Sequence, residues 1–112
     1  MTGRRGDRGS VTAEFAVAVP AVVLVLVLGA ATLGACSRQV RLQDAAADAA
    51  RLVARGESTA RAGSVLAGAV AGATARVARH DDLVCVIASA PAGLPVPIPP
   101  LRASSCALDG GL

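Results

Sequence analysis

The side chains of this 112-residue sequence with the most chemistry to offer are three cysteines, one histidine and a glutamate at the lip of a long apolar run. His80 precedes Asp81-Asp82 and Cys85, Ser104-Ser105 precede Cys106, Cys36 stands apart, and Glu14 opens the apolar run. A structural zinc site needs four Cys or His ligands at close spacing, which Cys36, His80, Cys85 and Cys106 do not offer. Asp81-Asp82 lacks the alternating acidic ligands and closing Glu of a calcium loop. Neither serine has a base in view for nucleophilic catalysis, and a lone His beside two aspartates reads as a solvated turn residue. With no glycine-rich phosphate loop either, the expectation is a protein that is not an enzyme and has no catalytic residues, no metal and no cofactor.

What remains is a cysteine pair and one carboxylate. Cys85 and Cys106 fall in separate strand-like pieces. On the oxidising side of a membrane they would form a disulfide closing a loop of about 21 residues, adding ~3 kcal/mol by the chain-entropy estimate; two buried free thiols are the alternative. Glu14 needs an explanation from its surroundings, because a carboxylate at the edge of hydrocarbon is costly until it finds a cation.

The elements that position these groups follow from composition. Hydrophobic residues make up 54 % of the chain, yet Phe15 is the only aromatic, so the content is Ala, Val and Leu. Few large side chains in so short a chain exclude a densely packed catalytic domain. All 11 basic residues are Arg and the net charge is +3. Arg4, Arg5 and Arg8 precede the apolar run and the rest are scattered, so there is neither a clustered basic face nor an aromatic stacking platform, and no nucleic acid is expected as a partner.

From Phe15 to Cys36 no residue is charged, and those 22 residues exceed the ~20 that a helix needs to cross a bilayer core. Pro20 sits in the first turns, where few preceding carbonyls lose partners. Gly29, Ala30, Ala31, Thr32 and Gly34 make a small-residue surface that either admits a second helix or marks a weakly apolar interface. The three leading arginines put the N-terminus in the cytoplasm and residues 37–112 outside. The next apolar patch, 65–75, is too short to span again.

Three readings of the leader compete. It is an ordinary anchor; or a lipoprotein signal, since Leu33-Gly34-Ala35-Cys36 has the form of a lipobox; or a type III signal, cut after a glycine that ends a short basic leader. The lipobox reading, which would make the chain an extracytoplasmic binding protein anchored through Cys36, has an apolar region longer than the ~7 to 15 residues of a secretory signal and no use for Glu14. In the third reading Gly9 is followed by Ser10, Val11, Thr12, Ala13 and Glu14, which makes Glu14 the fifth residue of the mature chain. With "SVTAEFAVAVPAVVLVLVL" after the leader and "RLQDAAADAARLVARG" over 41–56, the sequence resembles the TadE-like minor pilins, or pseudopilins, of the Flp (tight adherence, Tad) branch of type IV pili. The resemblance covers residues 6–56. It departs from the major Flp pilins, which favour Glu-Tyr where this chain has Glu14-Phe15.

The resemblance implies processing between Gly9 and Ser10 by a prepilin peptidase. It also implies a structural or assembly role for Glu14 and Phe15, with the Glu14 carboxylate pairing with the new Ser10 amine of a neighbouring subunit. The implied partners are the lipid bilayer, other pilin subunits and the Tad secretion machinery, and the implied setting is a surface filament for adhesion or secretion.

Outside the membrane the spacing predicts an amphipathic stem. Leu42, Ala45, Ala46, Ala49, Leu52 and Val53 share one face and Arg41, Asp44, Asp48, Arg51 and Arg55 the other, with Arg41–Asp44 and Asp48–Arg51 spaced for ion pairs. A helix from about residue 13 to 55 would run about 60 Å, stopping at Gly56. Ser58 or Thr59 would cap a second helix with Ala62, Val65, Leu66, Ala69 and Val70 as its apolar stripe. Strand-like pieces follow at 73–79, 83–88 and 101–108, with a polar turn at 80–82 and an extended, proline-rich loop at 89–100. The expected fold class is α+β. It comprises a leader over 1–9, a transmembrane and stem helix over 10–56, and an outer region over 57–112 with a small helix and a two- or three-stranded antiparallel sheet.

Overall fold

A computed structural model describes residues 2–110, and side chains from residue 9 onward. Five elements follow in order: α1 (Thr2–Ala54), α2 (Thr59–Ala69), β1 (Thr74–His80), β2 (Leu83–Ala90) and β3 (Leu101–Leu108). The fold is α+β: a long, apolar N-terminal helix, a second small helix and one antiparallel sheet of three strands in the order β1-β2-β3. The chain divides into two units, one ending at Leu33 and the other running from Gly34. Arg4, Arg5 and Arg8, on which the expected orientation rests, lie outside the described side chains.

In the first unit every described residue from Gly9 to Ala30 is exposed. Ala, Val and Leu favour or tolerate helix, but this helix has no protein face to lie on. Pro20 is accommodated within it.

The second unit has the core. Leu42, Ala45, Ala46, Ala49, Ala50 and Val53 of α1 pack with Ala62 and Leu66 of α2 and with Val84, Val86, Ala88 and Ala90 of β2. This is the helical face that the spacing predicts, except that Leu52 is only half-buried and Ala50 and Ala54 are buried. Most of the buried apolar residues are alanines; the largest fully buried side chains are Leu42, Leu66, Val84 and Val86. Alanine contributes little burial energy per residue, so those four carry a large share of it. Asp48 and Arg51 pair at 3.8 Å with both side chains about two-thirds exposed, a geometry worth little. Arg41 and Asp44, spaced for a similar pair, form none.

The ends of the helices obey local rules. After α1 the Gly56 amide donates to the Val53 carbonyl and the Glu57 amide to that of Leu52, at 3.0 Å each, with Gly56 at a φ of +98°. This is a Schellman stop, in which glycine takes the left-handed position at no steric cost. Ser58 caps α2, its hydroxyl accepting from the Arg61 amide at 3.1 Å. The α2 stripe is narrower than its spacing predicts: Ala62, Leu66 and Val70 are buried, Val65 is half-buried and Ala69 exposed.

β1 begins and ends one residue later than expected, which leaves Asp81-Asp82 as a two-residue hairpin loop. Asp81 takes a φ of +52°, which Asp tolerates better than most residues. β2 runs two residues further than expected, into the start of the 89–100 segment, because Ser89 and Ala90 pair with Arg102 and Leu101. The prolines that forbid a ladder begin only at Pro91.

A candidate assembly helix and the fold that holds it

Helix geometry sets the candidate assembly residues. Gly9 and Ser10 lie in α1, and Glu14 follows Ser10 by four residues, so the two occupy one helical face. Among the described residues Glu14 has no ion-pair partner in the same chain. Phe15 is 67 % exposed, and Val17, Leu24, Val25 and Leu26 are exposed to a similar degree. Thr32, toward the far end of the run, returns its hydroxyl to the Leu28 carbonyl at 2.8 Å, which removes its polarity from the helix surface. The run therefore presents an almost unbroken apolar cylinder with one carboxylate at its start, long and apolar enough to be a candidate membrane span.

The second unit fastens itself to the C-terminal half of α1 through three polar side chains of that helix. Gln39 donates its amide to the Arg102 carbonyl at 2.8 Å and Gln43 to the Ser104 carbonyl at 2.9 Å. Both acceptors lie on β3, an edge strand of the sheet. Residues four apart on a helix rise ~6 Å and residues two apart on a strand ~6.8 Å, so one helical face meets alternate carbonyls of the strand edge. Covering an edge in this way blocks pairing with another chain. Arg38, one residue earlier, donates to the Pro91 carbonyl at 2.9 Å and to the Ala71 carbonyl at 3.3 Å. It ties the turn before β1 and the loop after β2 to α1. Gly93, at a φ of +76°, lies against Arg38 where a Cβ would stand 3.3 Å from Nε.

Cys85 and Cys106 are direct cross-strand partners, with Cα atoms 4.0 Å apart and their sulfurs joined in a disulfide. Val84 and Val86, on either side of Cys85, are buried in the core while Cys85 is half-buried and Cys106 exposed, so the bridge lies on the sheet face turned away from the helices. Cys36 is a free, exposed thiol. His80 ends β1 on the surface. Of the site residues expected from sequence, the structure brings together Cys85 with Cys106, and Ser10 with Glu14 on one face. The roles of Arg38, Gln39 and Gln43 escaped the sequence reading. The i, i+4 glutamines were their available signal; what they bond to depends on strand order.

Residues 9–51 match the family described as TadE-like protein. Over that segment, less than half of the chain, the sequence is similar to that family. The match begins at Gly9 and ends within the stem helix, so it covers the apolar run, Glu14, Arg38 and both glutamines. The chain is also 45 % identical over 76 residues to a protein of Mycobacterium tuberculosis (strain ATCC 25618 / H37Rv) named "Apoptosis inhibitor Rv3655c"; that alignment covers 68 % of this chain and 59 % of the relative. The chain thus spans about three fifths of the relative's length. No solved structure matches it. The apolar helix is a candidate membrane span by its length and composition.

Proposed function

We propose that this chain is a TadE-like minor pilin or pseudopilin of a Flp/Tad type IV pilus, a structural or assembly subunit and not an enzyme. It crosses the membrane once, with its N-terminus cytoplasmic and the sheet unit outside, and is cut between Gly9 and Ser10 by a prepilin peptidase. The observation that carries the reading is the helix itself. From Gly9 to Ala30 its surface is exposed, and the one acid in that stretch, Glu14, shares a face with Ser10. Cleavage would create an amine at Ser10, and in a bundle of such helices the Glu14 carboxylate of one subunit finds that amine on the next. The pairing offsets the cost of holding a charge at the edge of hydrocarbon. The exposed cylinder offers lateral contacts to lipid or to neighbouring helices, and the filament would serve adhesion or secretion.

The test is the intact mass and N-terminal sequence of protein purified from membranes. A mature chain beginning at Ser10 is expected; one beginning at an acylated Cys36 identifies a lipoprotein instead, and an uncut chain leaves a plain anchor. Given cleavage at Ser10, Glu14→Ala is expected to reduce incorporation into surface filaments while Glu14→Asp retains part of it. Unchanged incorporation of the alanine variant would remove the paired-carboxylate role.

A further inference from the structure

The two ends of the sheet unit differ sharply. β3 runs in the same direction as α1, since Gln39 meets Arg102 and Gln43 meets Ser104. One end of the unit therefore gathers Arg38, the turn at Ala71-Gly72 and the loop between β2 and β3. The other gathers the end of α1 and the Asp81-Asp82 hairpin, where Gly110 donates to the Ala54 carbonyl and Asp109 to that of Asp82. That second end carries Arg55, Glu57, His80, Asp81, Asp82 and Asp109.

The first end carries the loop 91–100. No residue from Leu83 to Leu101 is charged, yet Val96 and Ile98 at the loop's tip are 54 % and 43 % exposed. Five of its ten residues are proline (91, 95, 97, 99 and 100). Proline has no backbone N–H, so half of the amide donors that would otherwise need water are missing. Arg38, which anchors this loop, is the first charged residue after the apolar run and stands two residues beyond Cys36, about 3 Å along a helix.

We propose that the proline-rich loop 91–100 is a second membrane contact, with Val96 and Ile98 seated in the interfacial layer of the lipid bilayer beside the point where α1 emerges. The inference rests on the membrane-anchored reading above. Three features favour lipid as the occupant: the loop is bonded to the helix where the charge-free run ends, its exposed tip is apolar and uncharged, and its backbone is poor in donors. In apolar surroundings an unsatisfied donor is costly, whereas shallow burial of two aliphatic side chains is favourable. Arg38, held by two carbonyls, fixes how far the loop stands from the helix axis. Arg102, exposed at the start of β3, is placed to reach lipid phosphates. Contact at a second point would restrain the tilt of the sheet unit against the bilayer surface, and with it the face shown to the next subunit.

The test uses the full chain with Cys36→Ser, the Cys85–Cys106 bridge intact, and a single added cysteine at Ile98, Leu24 or Glu57 bearing an environment-sensitive fluorophore. Each variant is placed in vesicles of phosphatidylcholine and phosphatidylglycerol, and its fold is checked by the bridge's mobility shift on non-reducing gels. The label at Ile98 is expected to shift to the blue and to be quenched by brominated acyl chains, as at Leu24, while that at Glu57 stays aqueous. An aqueous Ile98 label with a quenched Leu24 label overturns the loop contact and leaves the anchor standing. A blue shift at Ile98 without lipid quenching also overturns it, because protein, such as a second copy, then covers the loop. Aqueous labels at both positions overturn the anchor and the loop contact together.

Discussion

The two halves of α1 are one helix built for two different surroundings. From Gly9 to Ala30 every described residue is exposed, and from Phe15 on the residues are apolar all the way round. From Leu42 to Ala54 a stripe of Leu, Ala and Val is buried while Asp44, Asp48 and Arg51 remain outside. A helix that is apolar on all sides calls for a solvent that is itself apolar, whereas a one-sided helix calls for a partner surface. The second half receives that surface from its own chain, through the sheet and α2. The difference teaches that stability is concentrated in one half of the helix: substitutions from Leu42 on act on folding, and those before Leu33 fall on a surface that the fold does not use.

The sharpest way to break this comparison is one truncation in each half. Leu42→Ala, at a fully buried site, is expected to destabilise the sheet unit by about 2–5 kcal/mol. Leu24→Ala, with the same chemistry at an exposed site, is expected to leave its unfolding midpoint in detergent unmoved. Equal losses would mean that the halves fold as one. Next in size is the cross-strand bridge. Reduction, or Cys85→Ala with Cys106→Ala, is expected to lower the stability of the same unit by about 3 kcal/mol, since the closed loop spans a separation of 21 residues; chemical denaturation with and without reductant measures it.

A smaller effect probes the covered edge. Gln39→Ala and Gln43→Ala are each expected to cost about 1 kcal/mol and to speed amide exchange along β3, with no change in β1. Exchange that accelerates equally in both strands would show that the glutamines do not act on the edge. Smallest is Gly56→Ala. It places a side chain at a φ of +98° and is expected to cost about 1 kcal/mol in a thermal melt, with nothing lost in membrane association.

Much of the fold was legible in the chain because it rests on local rules. The 3.6-residue recurrence in 42–53 marks a half-buried helix, Gly56 and Ser58 mark a stop and a start, and the alternation in 101–108 marks a strand whose limits match those observed. The misjudged boundaries were those where pairing, not local preference, decides. Ser89 and Ala90 entered β2 because Leu101 and Arg102 lie opposite them, although the prolines just beyond argued for a loop. The candidate assembly residues were legible as a register, Gly9 through Glu14. Nothing local to Arg38 announces its role, since the carbonyls it binds lie 33 and 53 residues away.

By itself the sequence determined where a helix could leave water, where it must stop, and that one acid stands at the entrance to the apolar run, because these depend on side-chain polarity and short-range backbone preference. Tertiary structure alone decided that Gln39 and Gln43 close the edge of β3, that Cys85 faces Cys106, and that a loop of prolines is held beside the first charged residue after the apolar run. Those outcomes depend on strand order and register, which are set by burying the few large side chains of an alanine-rich core together.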